Sequence, residues 1–201
     1  MIKNYLKITL RNLWNNKVFS AVNIAGLSAG LAVFLLIMLW VKNEMSYNDF
    51  HQDKERIAML MSNRSFGNKE VQTFPAVPSL LADALKKDLP GIEYAASSSW
   101  GDQRMFAYGE KRFNETGLFV GADFLRIFSF PLIKGDIKKA LAEPNTVLIT
   151  ETLAKKYFGE ADPIGKIINV EKTLSYKVAG VLKDLPNNST INFDFLMPVK
   201  D

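Results

Sequence analysis

Residues 18–41 form a run of 24 residues without a charged side chain, VFSAVNIAGLSAGLAVFLLIMLWV. As an α-helix this run is about 36 Å long, because each residue adds about 1.5 Å. The hydrocarbon core of a bilayer is about 30 Å thick, and about 20 apolar residues cross it. The run therefore predicts a transmembrane helix. Its length disfavours the alternative, a buried helix in a soluble core.

A cleaved signal peptide has a shorter apolar region, about 7–15 residues, followed by a small-residue cleavage site. This run ends in Leu39-Trp40-Val41-Lys42, which offers no such site, so we expect it to remain as an anchor. Residues 1–17 carry four cations and residues 42–56 carry three. The excess is small, but it favours a cytoplasmic N-terminus and places residues 42–201 outside the cytoplasm.

The formal net charge of +4 also comes from the N-terminus. Of the 25 basic residues, four lie in residues 1–17, where there is no acidic residue, and the other 21 balance the 21 acidic residues. A nucleic-acid-binding domain needs a basic patch on a folded surface. The charge distribution therefore argues against nucleic acid as a partner.

Residues 1–17 have the pattern of an amphipathic helix that lies at the membrane surface. Three cations recur every fourth residue, and Leu6 and Leu13 fall on the opposite side. Such a helix can turn its cations toward anionic lipid, and tryptophan favours the two ends of an apolar run. The alternative is that the cations act only as topology signals. The predicted membrane-interface residues are Lys3, Lys7, Arg11, Trp14, Lys17 and Trp40.

Small residues recur at helical spacing within the apolar run. They let a second helix approach closely, which matters in lipid because apolar surface alone does not drive helices together. We therefore predict that this face packs against another transmembrane helix. The predicted helix-packing residues are Ala21, Ala25, Gly26, Ala29 and Gly30.

Residues 42–201 alternate between helix and strand patterns. One helix is predicted after Pro78, and a second begins after the capping residue Thr150 and ends at Gly159. Turn residues such as Lys134-Gly135-Asp136 separate the elements. The predicted strands are Ile57–Met61, Glu93–Ser98, Gly117–Val120, Thr146–Ile149, Ile167–Val170 and Tyr176–Leu182. This pattern predicts a mixed α/β domain of one or two closely packed lobes.

Residues suited to catalysis are scarce. There is no cysteine, and the single histidine, His51, lies in a polar stretch that we expect to be a solvated loop. No second strong metal ligand accompanies it at a suitable spacing. The segment 159–167 resembles a phosphate-binding loop, but five residues separate its glycines, and Ile167 replaces the Ser or Thr that would hold magnesium. We therefore expect no enzymatic activity, and no metal or cofactor site in this chain.

Four segments carry a resemblance to a known family. They are MIKNYLKITLRNLWNNKVFSAVNIAGLSAGLA at the N-terminus, FLRIFSFPLIKGDIKKAL at 124–141, PNTVLITETLAKKYFGEADPIGKIINV at 144–170 and YKVAGVLKDLPNNSTINFDFLMP at 176–198. The first resembles the start of ABC-transporter permease subunits of the MacB/FtsX type, in the long form common in Bacteroidota. The other three resemble the MacB-like periplasmic core domain of that family.

The resemblance implies a fold and a location. We expect a membrane-anchored α+β protein in the bacterial inner membrane. It would comprise a cytoplasmic basic amphipathic helix (1–17), one transmembrane helix (18–41) and a mixed α/β periplasmic domain of two lobes (42–201). Family members have at least four transmembrane helices, so the resemblance implies that this chain is an N-terminal fragment, with an incomplete periplasmic domain and no transport activity of its own.

The resemblance also implies partners. In this family a cytoplasmic ABC ATPase binds ATP and magnesium, and the transmembrane helices transmit its movements to the periplasmic domain. Further permease helices or a second permease copy, the lipid bilayer and a periplasmic adaptor or substrate protein complete the expected set. The implied function is export or extraction of an antimicrobial such as a macrolide, a peptide or a lipoprotein. Two alternatives stay open: a membrane-anchored sensor or ligand-binding module, and an FtsX-like scaffold that regulates a cell-wall hydrolase.

Overall fold

The computed structural model describes residues 2–67, 70–78, 80–137 and 139–199. The chain forms two compact units, Met1–Tyr47 and Asn48–Asp201.

The N-terminal unit consists of two helices, α1 (Ile2–Asn15) and α2 (Lys17–Met45). They are separated at Asn16, whose backbone is not helical (φ −115°, ψ 55°). With 29 residues, α2 is about 43 Å long. Within the described residues it is the one helix that is long and apolar enough to cross a membrane. It extends four residues beyond the apolar run and includes Lys42 and Glu44.

The C-terminal unit contains strands and short helices in alternation, which confirms the predicted mixed α/β class. The helices are α3 (Leu81–Asp88), α4 (Phe124–Ile127) and α5 (Glu151–Phe158), with a 3₁₀ turn at Lys54–Arg56. The strands are β1 (Ser62–Ser65), β2 (Val71–Phe74), β3 (Asp102–Tyr108), β4 (Lys111–Val120), β5 (Leu132–Gly135), β6 (Thr146–Thr150), β7 (Ile167–Val170), β8 (Leu174–Leu182) and β9 (Phe195–Pro198).

Seven strands form one sheet in the order β5-β8-β6-β9-β4-β3-β7. Because β7 also pairs with β8, six of these strands close into a hydrogen-bonded ring, and β5 lies beside β8 outside it. The pairs β4–β9 and β6–β8 are parallel, and the other pairs are antiparallel. Strands β1 and β2 form a separate hairpin. The expected division into two lobes stays a prediction.

The central strands bury apolar side chains on both faces, because successive residues of a strand point to opposite sides. On β9, Phe195 and Met197 join one core cluster and Leu196 joins the other. Helix α5 covers the first cluster with Leu153 and Tyr157. The segment from α4 onward covers the second cluster, with residues that include Phe124, Leu125 and Phe130.

Helix α5 has the ends that its sequence predicts. The Thr150 hydroxyl accepts a hydrogen bond from the Leu153 amide, and Gly159 ends the helix with φ +60°. The helix predicted after Pro78 is also present, as α3.

Two strand predictions are wrong. Residues 57–61 have no regular secondary structure and pair with no described strand, and residues 93–98 contribute only an isolated bridge between Ser98 and Val120. A turn prediction is also wrong in part, because Lys134 and Gly135 end strand β5 instead of forming a turn. Gly135 adopts φ +107° and approaches the Ala179 carbonyl oxygen so closely that a Cβ atom would lie 2.5 Å from it. This packing keeps a turn-favouring residue inside a strand.

Candidate functional site

The cations of α1 lie on one face of a single helix. Lys3, Lys7 and Arg11 are four residues apart and all are exposed. Leu6 and Leu13 belong to the opposite side and are also exposed. A helix with this distribution can lie on a lipid surface, because its apolar side chains enter the acyl region while its cations remain with the headgroups. The membrane-interface role of these residues stays a prediction.

The two tryptophans near the ends of the apolar run are exposed. Trp14 lies at the end of α1, and the Lys17 ammonium group is 5.2 Å from the centre of its ring. Trp40 lies in the last turns of α2 and is also exposed. Indole rings favour the membrane–water boundary, and a nearby cation adds an electrostatic attraction to the ring.

The small residues of α2 form an open surface. No heavy atom other than the neighbouring helix backbone lies within 4 Å of the position that a Cβ atom would take at Gly26 or Gly30. Ala21, Ala25 and Ala29 are likewise exposed. A second helix could therefore approach the backbone closely here.

His51 corrects a sequence-based expectation, because it is not in a solvated loop. Its side chain is only 5% exposed. Its Nδ1 atom accepts a hydrogen bond from the Ser129 amide at 3.1 Å. The rings of Phe50, Phe128 and Phe130 surround it with centroid distances of 4.0, 5.3 and 5.2 Å. Burial among these rings lowers the pKa of His51, because the charged imidazolium would lose its hydration.

Asn48 attaches the same segment to a second loop. Its side-chain oxygen accepts from the Thr190 amide at 3.0 Å, and its side-chain nitrogen donates to the Thr190 hydroxyl at 2.9 Å. Its own amide donates to the Asn188 carbonyl at 2.9 Å. Asn48 adopts φ +60°, a conformation that asparagine tolerates better than most residues. Sequence reasoning missed this attachment, because the partners are about 140 residues apart in the chain.

A cleft of about 740 Å³ lies between α3, the end of β4 and the segment before β6. Its buried Asp123 carboxylate accepts hydrogen bonds from Lys86 at 2.8 Å and from Arg126 at 3.3 Å. The hydrogen bond to Asp123 raises the pKa of Lys86, so its ammonium group stays charged at neutral pH. The other walls combine apolar residues such as Leu141 and Pro198 with polar ones such as Ser97 and Asn145.

A second buried carboxylate fixes α5 to strand β4. Glu115 is 5% exposed and accepts hydrogen bonds from the Tyr157 hydroxyl and the Lys156 ammonium group, both at 2.7 Å. Burial raises the pKa of Tyr157, and the hydrogen bond to Glu115 adds to this effect, so the phenol remains a donor. Every partner in this network has a hydrogen-bonding role within the fold. We therefore interpret it as structural.

Among the described residues, no group of three or more His, Asp or Glu side chains is placed to hold a metal ion. His51 faces aromatic rings, and its hydrogen bond comes from a backbone amide. That geometry provides no carboxylate to orient the imidazole for general-base catalysis.

Several solved structures resemble this chain. A domain assigned as a permease from Porphyromonas gingivalis is 30% identical, with a TM-score of 0.58 over 69% of this chain and 60% of that one. The periplasmic region of MacB from Actinobacillus actinomycetemcomitans is 18% identical (TM-score 0.46, 58% of this chain, 52% of that one). The extracellular domain of the noncanonic ABC-type transporter YknZ from Gram-positive bacteria is 19% identical (TM-score 0.45, 58% and 59%).

This chain thus spans about 60% of the length of the Porphyromonas domain. No curated protein is similar enough to count as a match. A family model, that of the MacB-like periplasmic core domain, matches residues 20–201, which include most of α2 and the whole C-terminal unit. The chain therefore belongs to the family of MacB-like periplasmic core domains.

Proposed function

We propose that this chain is part of a permease subunit of an ABC transporter of the MacB/FtsX type. The family match over residues 20–201 carries the proposal, because it joins the apolar helix and the folded domain in one unit. In this proposal α2 crosses the inner membrane, α1 lies on its cytoplasmic surface and residues 48–201 lie in the periplasm. The four cations of residues 1–17 support this orientation.

The proposed mechanism assigns ATP and magnesium to a partner ATPase in the cytoplasm. Movement of that ATPase would reach the periplasmic domain through α2 and neighbouring helices, and would drive export or extraction of an antimicrobial, a peptide or a lipoprotein. The chain's own contribution would be mechanical. Its buried carboxylates, Glu115 and Asp123, are engaged in hydrogen bonds that hold helices to the domain.

The small-residue face of α2 is the proposed contact with another transmembrane helix, from further permease helices or a second permease copy. Replacing both Gly26 and Gly30 with leucine would add side chains to the open surface and hold a partner helix away. We expect the yield of chemical crosslinks between α2 and its partner helix to fall in this double variant. Replacing Leu31 with isoleucine is the matched control, and crosslinking that is unchanged in the glycine variant would contradict this contact.

Photocrosslinking in the native bacterium tests the coupling to an ATPase. A photoreactive amino acid replaces Asn12 on α1 or, as the control, Lys87 on α3, and both sites are exposed. We expect the Asn12 position to crosslink to an ABC ATPase and the Lys87 position to crosslink to no cytoplasmic protein. A sensor kinase at the Asn12 position would favour the sensor alternative, and a cell-wall hydrolase at the Lys87 position would favour the scaffold alternative.

A further inference from the structure

Residues 48–52 attach the start of the C-terminal domain to two separate loops, and we call this segment the clasp. One attachment is the set of hydrogen bonds from Asn48 to Thr190 and Asn188. The other is at residues 128–130, where the Gln52 amide donates to the Ser129 hydroxyl at 3.0 Å. The clasp begins three residues after the end of α2, so it fixes the first residues of the domain that follow the helix.

His51 makes the attachment to residues 128–130 depend on its protonation state. Its Nδ1 atom accepts a hydrogen bond from the Ser129 amide, and only an unprotonated nitrogen can accept. Protonation of Nδ1 would place two N–H donors face to face. The Ser129 amide would then lose its acceptor in a partly buried position, which disfavours the closed clasp.

The other ring nitrogen of His51 makes no hydrogen bond that would stabilise a charge at this position. Nε2 is buried and has no hydrogen-bond partner among the described residues. The ring is enclosed by Phe50, Phe128 and Phe130, and Phe50 itself packs against the second core cluster. An imidazolium here would have two donors, and neither would have an acceptor in the closed clasp.

Burial lowers the pKa of His51, and the charges near the clasp do not reverse that direction. Charged side chains occur on three of the segments near the clasp, whereas the loop at 188–190 carries none. The charged side chains on the segment of His51 are Asp49, Asp53 and Lys54. Asp123 lies just before α4 and Arg126 lies on it, and Lys183 and Asp184 lie on the loop that meets Pro131.

We propose that the clasp is a pH-dependent attachment: neutral His51 keeps residues 48–52 bound to the domain, and protonation of His51 releases them from residues 128–130. The inference depends on the fold of residues 48–199 and not on coupling to an ATPase. Release would leave the hydrogen bonds of Asn48 to Thr190 and Asn188 as the attachment of this segment to the domain. In the proposed transporter, acidification would therefore reduce the attachments of the segment that follows the membrane helix from two to one.

The sign of the pH dependence follows from linkage. The pKa of His51 is lowered in the closed clasp, and the ordinary value of 6.5 applies once the ring is exposed to water. The open state therefore binds a proton more tightly than the closed state. The closed clasp is favoured above pH 6.5 and loses stability as the pH falls below 6.5. Each unit by which burial lowers the pKa corresponds to about a tenfold change in the opening equilibrium.

Hydrogen exchange of individual amides in the full chain, held in lipid nanodiscs, tests the proposal. Three amides report directly on the clasp. The Ser129 and Thr190 amides donate to the side chains of His51 and Asn48, and the Gln52 amide donates to the Ser129 hydroxyl. Their protection, corrected for the chemical exchange rate, is compared at pH 8 and pH 5. We expect Ser129 and Gln52 to lose protection at pH 5, by up to about tenfold for each unit by which the pKa of His51 is lowered. The Val178 amide, in the centre of the sheet, is the internal reference and should not change.

Two variants separate the histidine from the rest of the clasp. His51→Gln keeps a neutral acceptor at every pH, so the ratio of protection at pH 8 to that at pH 5 should fall to about one. Asn48→Ala removes the attachment to Thr190, and we expect lower Thr190 protection at both pH values while Ser129 keeps its pH dependence.

The single histidine gives an independent measurement, because the chain has only one imidazole to titrate. We expect NMR to give an imidazole pKa below 6.5. A value at or above 6.5, equal Ser129 protection at the two pH values in the unaltered chain, or the same loss of protection in His51→Gln would each overturn the proposal.

Discussion

Helix α2 and strand β9 are both built from apolar side chains, but their surroundings differ completely. No residue of α2 is buried, and Leu35 at its middle is about half exposed. In β9, by contrast, Phe195, Leu196 and Met197 have no exposed surface. The strand is buried within its own domain. The apolar surface of the helix, by contrast, is not covered by any described part of the chain. That difference is what an anchor followed by an independently folded domain requires.

The family assignment provides an explanation for the exposed apolar surface of α2. A member of the MacB-like periplasmic core domain family with one apolar N-terminal helix is a membrane protein with an extracytoplasmic domain. In the proposed function, the lipid bilayer is the environment that covers α2. Changes in α2 should therefore alter membrane attachment and leave the domain folded, and changes in the sheet should do the opposite.

The largest effect is expected from placing two charges in the middle of α2. Replacing Leu31 and Leu35 with lysine should cost roughly 6–8 kcal/mol of insertion free energy, because each lysine near the bilayer centre is unfavourable by about 3 kcal/mol and each leucine was favourable. Alkaline carbonate extraction measures the fraction that remains in the membrane. The matched control replaces both residues with alanine, and equal retention of the lysine and alanine variants would show that α2 does not depend on the bilayer.

A smaller effect, on the domain alone, is expected from Phe195→Ala. Phe195 is fully buried against Phe106, with ring centroids 4.7 Å apart, so truncation should destabilise the domain by about 3–5 kcal/mol. Pulse proteolysis in urea measures this loss, and membrane retention should not change. Phe66→Ala is the control, because Phe66 is half exposed beside the separate hairpin. Equal destabilisation by the two changes would contradict the assigned core.

Gly117 tests how closely two strands approach one another. A Cβ atom at this position would contact the Phe195 carbonyl oxygen and lie 2.5 Å from the Phe195 ring. Gly117→Ala should therefore cost about 1–3 kcal/mol through overpacking. Gly101→Ala is the control, since its Cβ would make only an ordinary contact with Thr116 at 3.9 Å. Urea midpoints that are equal for the two variants would argue against the parallel β4–β9 pair.

The smallest effect is expected at the cap of α5. Thr150→Ala removes the hydroxyl that accepts from the Leu153 amide, and we expect a loss of about 1 kcal/mol in the same urea assay. Thr150→Ser keeps the hydroxyl and should retain most of the stability. A serine variant as unstable as the alanine variant would assign the loss to packing of the threonine methyl group.

Local patterns predicted the elements whose signals lie within a few residues. The apolar run predicted α2, the pair Thr150 and Gly159 predicted α5, and short runs of strand-forming residues predicted β6, β7 and β8. Each of these elements is specified by its own sequence, through length, capping or a continuous apolar run.

Strand pairing between distant segments could not be predicted in this way. Residues 57–61 have the apolar composition of a strand but no described partner, whereas β5 contains Gly135, which by itself favours a turn. The difference lies in the neighbours: β8 supplies hydrogen bonds and close backbone packing to β5. A strand depends on a partner that local composition does not identify.

The environment of His51 was missed for the same reason. Its neighbours in sequence are polar, and the stretch therefore predicted a solvated loop. The side chain is nevertheless enclosed by Phe128 and Phe130, about 80 residues further along the chain. The aromatic residues in the segment FSFP at 128–131 were the available signal, but nothing in the sequence connected them to the histidine.

In the proposed function, α2 crosses the membrane and holds the domain on its outer side, with α1 in the cytoplasm. The chain has no cysteine, so a single introduced cysteine reports its own location without background. Lys87→Cys lies on the exposed surface of α3, and Asn12→Cys lies on α1. In intact spheroplasts a membrane-impermeant maleimide should label Lys87→Cys and should label Asn12→Cys only after permeabilisation. Labelling of Asn12→Cys in intact spheroplasts, or protection of Lys87→Cys, would contradict the account.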